Sequence, residues 1–256
     1  MKKLLFQSSV LILLLALSGC GGGGTKVLKE PEPLVLTQSL STASDQRLAA
    51  TLDWVIVRDG PGTWAKNADW DEYLIRVQNL SDDSIRVTNI TVLDSLGTRI
   101  ETRENRKQLV KGAKETKRRY KEEGFKVKVG AGVGRLVATA GAIAVTGTAV
   151  AVSAVGYATA GGLATVGGII FVPVLAVGGV MRGVNNSRVN KQIEIRQTLL
   201  PIVLQEKEEK SLDIFFPLAP SPRQVEITYA DSQGDHTLII DTRAALEGLH
   251  LVPADK

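Results

Sequence analysis

Between Arg135 and Arg182 the chain runs for 46 residues without a charged side chain, and on both sides of that run the sequence reads as short β-strands. A hydrocarbon layer about 30 Å thick is crossed by roughly 20 helical residues. The run therefore has room for two helical crossings, Leu136 to Tyr157 and Ala160 to Met181, with Gly156, Gly161 and Gly162 around the turn between them. A buried helix pair, or a β-forming segment built on its many Val, Thr and Ile residues, are the other readings of the same stretch.

The flanks constrain the run further. Residues 47–102 carry strand patterns at Leu48 to Arg58, Tyr73 to Leu80 and Ile85 to Leu93, the last two joined by Ser81-Asp82-Asp83-Ser84, a hairpin signal. Residues 192–244 resume the pattern at Ile202 to Gln205, Leu212 to Phe216, Gln224 to Tyr229 and Leu238 to Ile240. Neither half buries its apolar face alone. Together they make 109 residues and seven strands, which resembles an immunoglobulin-like sandwich in size and strand pattern, without its Cys…Trp…Cys spacing. The expected fold is mainly β with an α insertion: an approximately seven-stranded immunoglobulin-like β-sandwich, split at residues 103–191 by a basic helix (103–128) and a glycine-rich helical hairpin (136–157 and 160–181). Two separate small domains are the alternative. If both halves share one sandwich, the ends of the insertion lie on one side of any membrane and the number of crossings is even.

The hairpin is poor in large apolar residues. Thirteen of the 25 glycines lie between Val129 and Val184, and small residues recur at four-residue spacing, as in Gly130, Gly134, Ala138 and Ala142, and again in Ala164 and Gly168. Such stripes let two helices approach closely. The segment resembles the glycine-zipper transmembrane hairpins of small outer-membrane lipoproteins, and the resemblance implies paired helices that insert together and pack with themselves or with neighbours. Thr139, Thr146 and Ser153 fall seven apart on one face of the first helix. They form either a polar stripe that lines a pore or hydroxyls bonded back to their own helix.

At the N-terminus, Lys2 and Lys3 precede the apolar stretch Leu4 to Leu17, the arrangement of a signal peptide over residues 1–19. It ends in Leu17-Ser18-Gly19-Cys20, which resembles the lipobox of bacterial lipoproteins, and Cys20 is the only cysteine. That resemblance implies cleavage before Cys20 and acylation of its thiol, with palmitate among the acyl chains. Gly21 in place of aspartate implies sorting to the outer membrane, with the sandwich facing the periplasm. Residues 20–46, glycine-rich and then Lys-, Glu- and Pro-bearing, read as an acylated cysteine on a flexible tether. Residues 245–256 read as a C-terminal tail.

Arg99 to Lys128 holds twelve Lys or Arg against five Glu and reads as a solvated charged helix that attracts anionic lipid headgroups. Basic flanks outside the cytoplasm conflict with the positive-inside rule in an energised inner membrane, and an outer-membrane location removes the conflict. The partners expected are membrane lipids and an envelope protein or a second copy of the chain. Nucleic acid is not expected, because the exported chain has no row of stacking aromatics.

Candidates for chemistry are few, and the chain reads as no enzyme, with no cofactor and no metal site. His236 and His250 are the only histidines, lack a metal-ligand partner spacing, and read as surface residues. Asp69, Asp71 and Glu72 beside Trp64 and Trp70 form an aromatic-acidic loop that either binds a glycan or covers the end of the sandwich. Gly130, Gly132 and Gly134 lack the spacing of a dinucleotide fingerprint. The functional expectation is a membrane-anchored envelope lipoprotein with a structural, assembly or partner-binding role. The alternative is an oligomeric pore or translocation component lined by Thr139, Thr146 and Ser153.

Overall fold

Strand β6 (Trp70–Asn79) organises the molecule. In the computed structural model, which describes residues 24–31, 34–36, 38–130, 164–166, 169–171 and 182–252, it lies between β4 (Leu48–Ile56) and β12 (Glu209–Pro217), with β3 (Ser41–Ser44) beyond β4. The register runs from Leu48↔Asn79 to Ile56↔Glu72 on one side and from Glu209↔Gln78 to Pro217↔Trp70 on the other. A second antiparallel sheet has β13 (Gln224–Asp231) between β7 (Ile85–Leu93) and β14 (Gly234–Asp241). The far edge of β7 is shared by β8 (Arg99–Glu101) and β11 (Ile202–Leu204). The chain thus leaves and rejoins the second sheet along one edge. Because β12 pairs with β6 and β13 with β7, each sheet contains strands from before and after the insertion.

The molecule is mainly β, and its two principal sheets bury their side chains in one hydrophobic cluster that includes Tyr73, Val77, Ile90, Val92, Phe216 and Ile227. Tyr73 and Phe216 meet edge to face at 5.0 Å. Six consecutive residues, Trp70 to Ile75, are buried, so both faces of β6 are covered at that end.

One cover is helix α1 (Arg106–Glu122). Asn105 caps it by accepting from the Gln108 amide at 3.0 Å. Gly124, at φ +80°, ends it in a Schellman turn: the Phe125 amide donates to the Tyr120 carbonyl and the Gly124 amide to that of Lys121. The expected solvated surface is corrected here. Leu109, Ala113, Thr116 and Tyr120, spaced four, three and four apart, form a buried stripe that seats the helix. Gly112 lies against Pro217 of β12. Arg119 reaches the buried Asp94 at 2.6 Å, Lys117 reaches Asp69 at 3.1 Å, and Arg99, in β8 and not in the helix, pairs with Glu226 at 2.7 Å.

Helix α2 (Arg182–Arg196) returns the chain from the insertion and buries Val189 and Ile193. It packs on β1 (Lys26–Val27), which pairs with β5 (Ala65–Lys66). The stretch expected to be a flexible tether is therefore tied to the body: Thr25 Oγ1 donates to the Asn67 carbonyl, and the Leu28 amide to that of Trp64 at 2.8 Å. Leu34, in β2 (Leu34–Val35), is buried.

The helical hairpin is overturned where the insertion is described. Within the second expected crossing, β9 (Ala164–Val166) and β10 (Ile169–Phe171) pair antiparallel, and β10 also pairs with β2. Thr165, Val166, Ile169 and Ile170 are β-branched and Phe171 is aromatic, residue types that favour extended backbone. The four-residue spacing of small side chains was the weaker signal. Ala164 lies in a strand, and Gly130 sits at φ +127° in irregular chain, on no packing helix. Among the described residues no helix is long and apolar enough to cross a membrane; crossing by strands is a separate matter. Gly134, Ala138, Ala142 and Gly168, the stripe Thr139, Thr146 and Ser153, the whole first crossing, and Cys20 lie outside the described residues.

Candidate functional site

The start of β6, where the loop from β4 ends, gathers most of the buried charge around Asp71 and Glu72. That loop closes on itself through Thr63, whose Oγ1 donates to the Val57 carbonyl at 2.6 Å and accepts from the Gly60 amide at 3.0 Å. Gly62 is needed where it stands: its φ is +80°, and a Cβ there would lie 3.2 Å from Ile56 and 3.3 Å from Leu34. The closed loop presses Trp64 and Trp70 into the end of the body, each at most 3% exposed. A cleft beside them, lined by Ile56, Arg58, Ala68 and Glu72 among others, holds about 10 Å³, room for about one water molecule. The tryptophans cover the core and leave no space for a sugar.

Successive residues of a strand point to opposite faces, so Asp71 and Glu72 carry their charges to different places. Glu72 accepts from Trp64 Nε1 at 2.7 Å and from Arg196 Nε at 2.9 Å, and its carboxylate also binds the Arg196 Nη2. The Arg196 guanidinium lies 5.6 Å from the Trp64 ring centre, a cation–π arrangement. Asp213 of β12 lies close by. Burial, and then the Glu72 charge, push its carboxyl up to about 7, with Arg196 opposing.

On the other face, both Asp71 oxygens lie 3.0 Å from His250 Nε2, and neither residue is exposed. His250 was expected at the surface, and this is a correction. Burial and the Asp71 charge also hold the Tyr73 hydroxyl well above its usual range. His236 is the partly exposed histidine, stacked on Tyr229 and 3.2 Å from Asp231. The Asp71–His250 pair anchors the last described residues, so those do not form a loose tail. The His250 carbonyl accepts from the Lys128 amide, and the Val252 amide donates to the Lys126 carbonyl, both at 3.0 Å. Val127 bridges Leu251. The segment leading into the insertion is thereby clamped between the C-terminal chain and Arg58, whose carbonyl would be 3.3 Å from a Cβ on Gly130.

These contacts bring three chain segments to one pole. The N-terminal strand β1 docks on the loop at β5, the approach to the insertion passes Arg58, and the returning helix α2 packs on β1. The opposite pole, about 30 Å away along the ten residues of β6, is made of the turns around Arg47, Asp82, Lys207 and Asp231. Sealed from solvent, the Asp71–His250 and Glu72–Arg196 pairs can hold the three segments in place but cannot meet a ligand. Among the described residues no group of three or more His, Cys, Asp or Glu is placed to hold a metal. No protein-family model, curated protein or solved structure matches the chain.

The buried network was missed in the sequence because its partners are far apart: 124 residues separate Glu72 from Arg196, and 179 separate Asp71 from His250. One sequence signal pointed to it. Two adjacent carboxylates flanked by Trp70 and Tyr73 in a β-branched context predict charges inside a strand that must find partners.

Proposed function

We propose that the chain is an acylated lipoprotein of the bacterial envelope, whose β-body is held close against the membrane as a scaffold for an envelope partner. Cys20 carries the acyl chains, and Gly21 assigns the protein to the outer membrane, with the body on the periplasmic side. The two sheets are read as one immunoglobulin-like sandwich split by the insertion, because strands from both halves contribute to each sheet.

The observation that carries the reading is the short connection between Cys20 and the docked strand β1. Five residues separate Cys20 from Lys26, a span of about 20 Å at full extension. A lipoprotein that reaches across the periplasm needs a long free linker; here the chain is already tied to the body at Thr25 and Leu28. The pole that gathers β1 and the ends of the insertion then faces the bilayer. The turns about 30 Å away face the periplasm, where a partner meets them.

The test is labelling of growing cells with radioactive palmitate, followed by separation of inner and outer membranes. Label on the native chain, and none on Cys20→Ala, is the expected outcome, with the native protein in the outer-membrane fraction. An unlabelled chain that fractionates with periplasmic proteins would refute the reading.

A further inference from the structure

Strand pairing sets Lys26 directly opposite Lys66. Like charges facing each other across an antiparallel pair repel, and sheets avoid the arrangement. Both side chains are exposed, while the other face of the ribbon buries Ala65 and packs Val27 on the core. The other cation of this loop, Arg58, has a carboxylate: it shares Asp69 with Lys117 of α1, at 2.8 and 3.1 Å. Lys26 and Lys66 make no ion pair among the described residues, with neither Glu30 nor Asp59. A second pair stands where the chain enters the insertion. Lys126 and Lys128 flank Val127, which is fixed by its bridge to Leu251, so the two lysines project from one side of an extended segment. Four ammonium groups with no ion pair among the described residues thus lie at this pole, on β1, on β5 and where the chain enters the insertion.

We infer that this pole is a binding face for anionic phospholipid headgroups, with the Lys26–Lys66 pair as its principal contact. The inference rests on acylation at Cys20 and adds to it what the anchored pole recognises. The five residues between Cys20 and Lys26 limit their separation to about 20 Å at full extension, no more than about two to three Debye lengths at physiological salt. Anchoring therefore brings these lysines within electrostatic reach of a headgroup layer. Lipid phosphates opposite Lys26 and Lys66 relieve the repulsion that strand pairing imposes. That relief is greatest on an anionic bilayer and small on a zwitterionic one, where a choline offsets each phosphate.

The test uses the full chain carrying Cys20→Ala, so that no acyl chain contributes. Its flotation is measured with vesicles of phosphatidylcholine alone and of phosphatidylcholine mixed with phosphatidylglycerol. The quantity read is the gain in binding on the anionic vesicles over the neutral ones. Each lysine near the headgroups is worth about fivefold, so Lys26→Gln with Lys66→Gln lowers that gain about thirtyfold. The charge-matched pair Arg86→Gln with Lys207→Gln, exposed at the opposite pole, leaves it unchanged. An equal loss in both pairs would show that net charge alone acts, and undiminished binding by the Lys26/Lys66 variant would remove the face; either result overturns the proposal. Thermal melts confirm that both variants fold, as exposed Lys-to-Gln changes should. Because palmitate labelling reads acylation separately, failure here is distinct from failure of the lipoprotein reading.

Discussion

Replacing Asp213 by asparagine makes the cost of a buried carboxylate measurable. Asp213 is 7% exposed, and burial and the neighbouring Glu72 push its carboxyl up to about 7, whereas an unfolded chain holds an aspartate near 3.9. Between those values the folded state keeps a proton that the unfolded state has released. The stability that this proton confers is fully present below about pH 4 and is lost as pH rises through about 7. From about pH 5 to about pH 8 the loss amounts to about 2–3 kcal/mol. An asparagine side chain has nearly the same shape and cannot ionise, so Asp213→Asn lacks this slope. Urea unfolding of both proteins at several pH values is the assay. The variant should gain on the wild type steadily as pH rises, with most of the gain complete by about pH 8. A stability difference that stays constant over the range would show that Asp213 does not retain its proton, and would refute the placement of the charges around Glu72.

His250→Gln takes the imidazole partner from the buried Asp71 and should cost about 3 kcal/mol or more; hydrogen exchange should quicken at the Lys128 and Val252 amides, which pair the two segments that His250 holds together. Gly112→Ala sets two magnitudes against each other. Alanine favours helix by about 1 kcal/mol, but its Cβ would stand 2.5 Å from Pro217 Cγ, and overpacking of a ring that cannot turn away costs about 1–3 kcal/mol. Net destabilisation in urea unfolding is expected, and a stabilised variant would show that α1 is not seated on β12.

The β character of the chain was legible from local pattern, because period-2 alternation records which face of a strand is buried. The turns were legible too. Asp94-Ser95-Leu96-Gly97 has its aspartate accepting from the Leu96 and Thr98 amides and its glycine at φ +79°, chemistry contained in five consecutive residues. The strand β6 was seen only from Tyr73, although it begins at Trp70, since Asp71 and Glu72 look like loop residues until His250 and Arg196 are beside them. Helix α1 looked solvated because seventeen charges within thirty residues outweigh four buried positions in any composition count.

The sequence by itself determined that the chain is mainly β, where several strands and turns fall, and that an uncharged run divides the strand-bearing halves. Tertiary structure alone decided that β12 lies on β6 and β13 on β7, that part of the run is strand where helix was expected, and that two adjacent carboxylates find a histidine and an arginine more than a hundred residues away. The physical reason is range. Alternation, turn chemistry and capping are set by neighbours a few residues away. The partner of a buried charge, and the choice between helix and strand for a glycine-, alanine- and valine-rich segment, depend on which surface the rest of the chain brings to it.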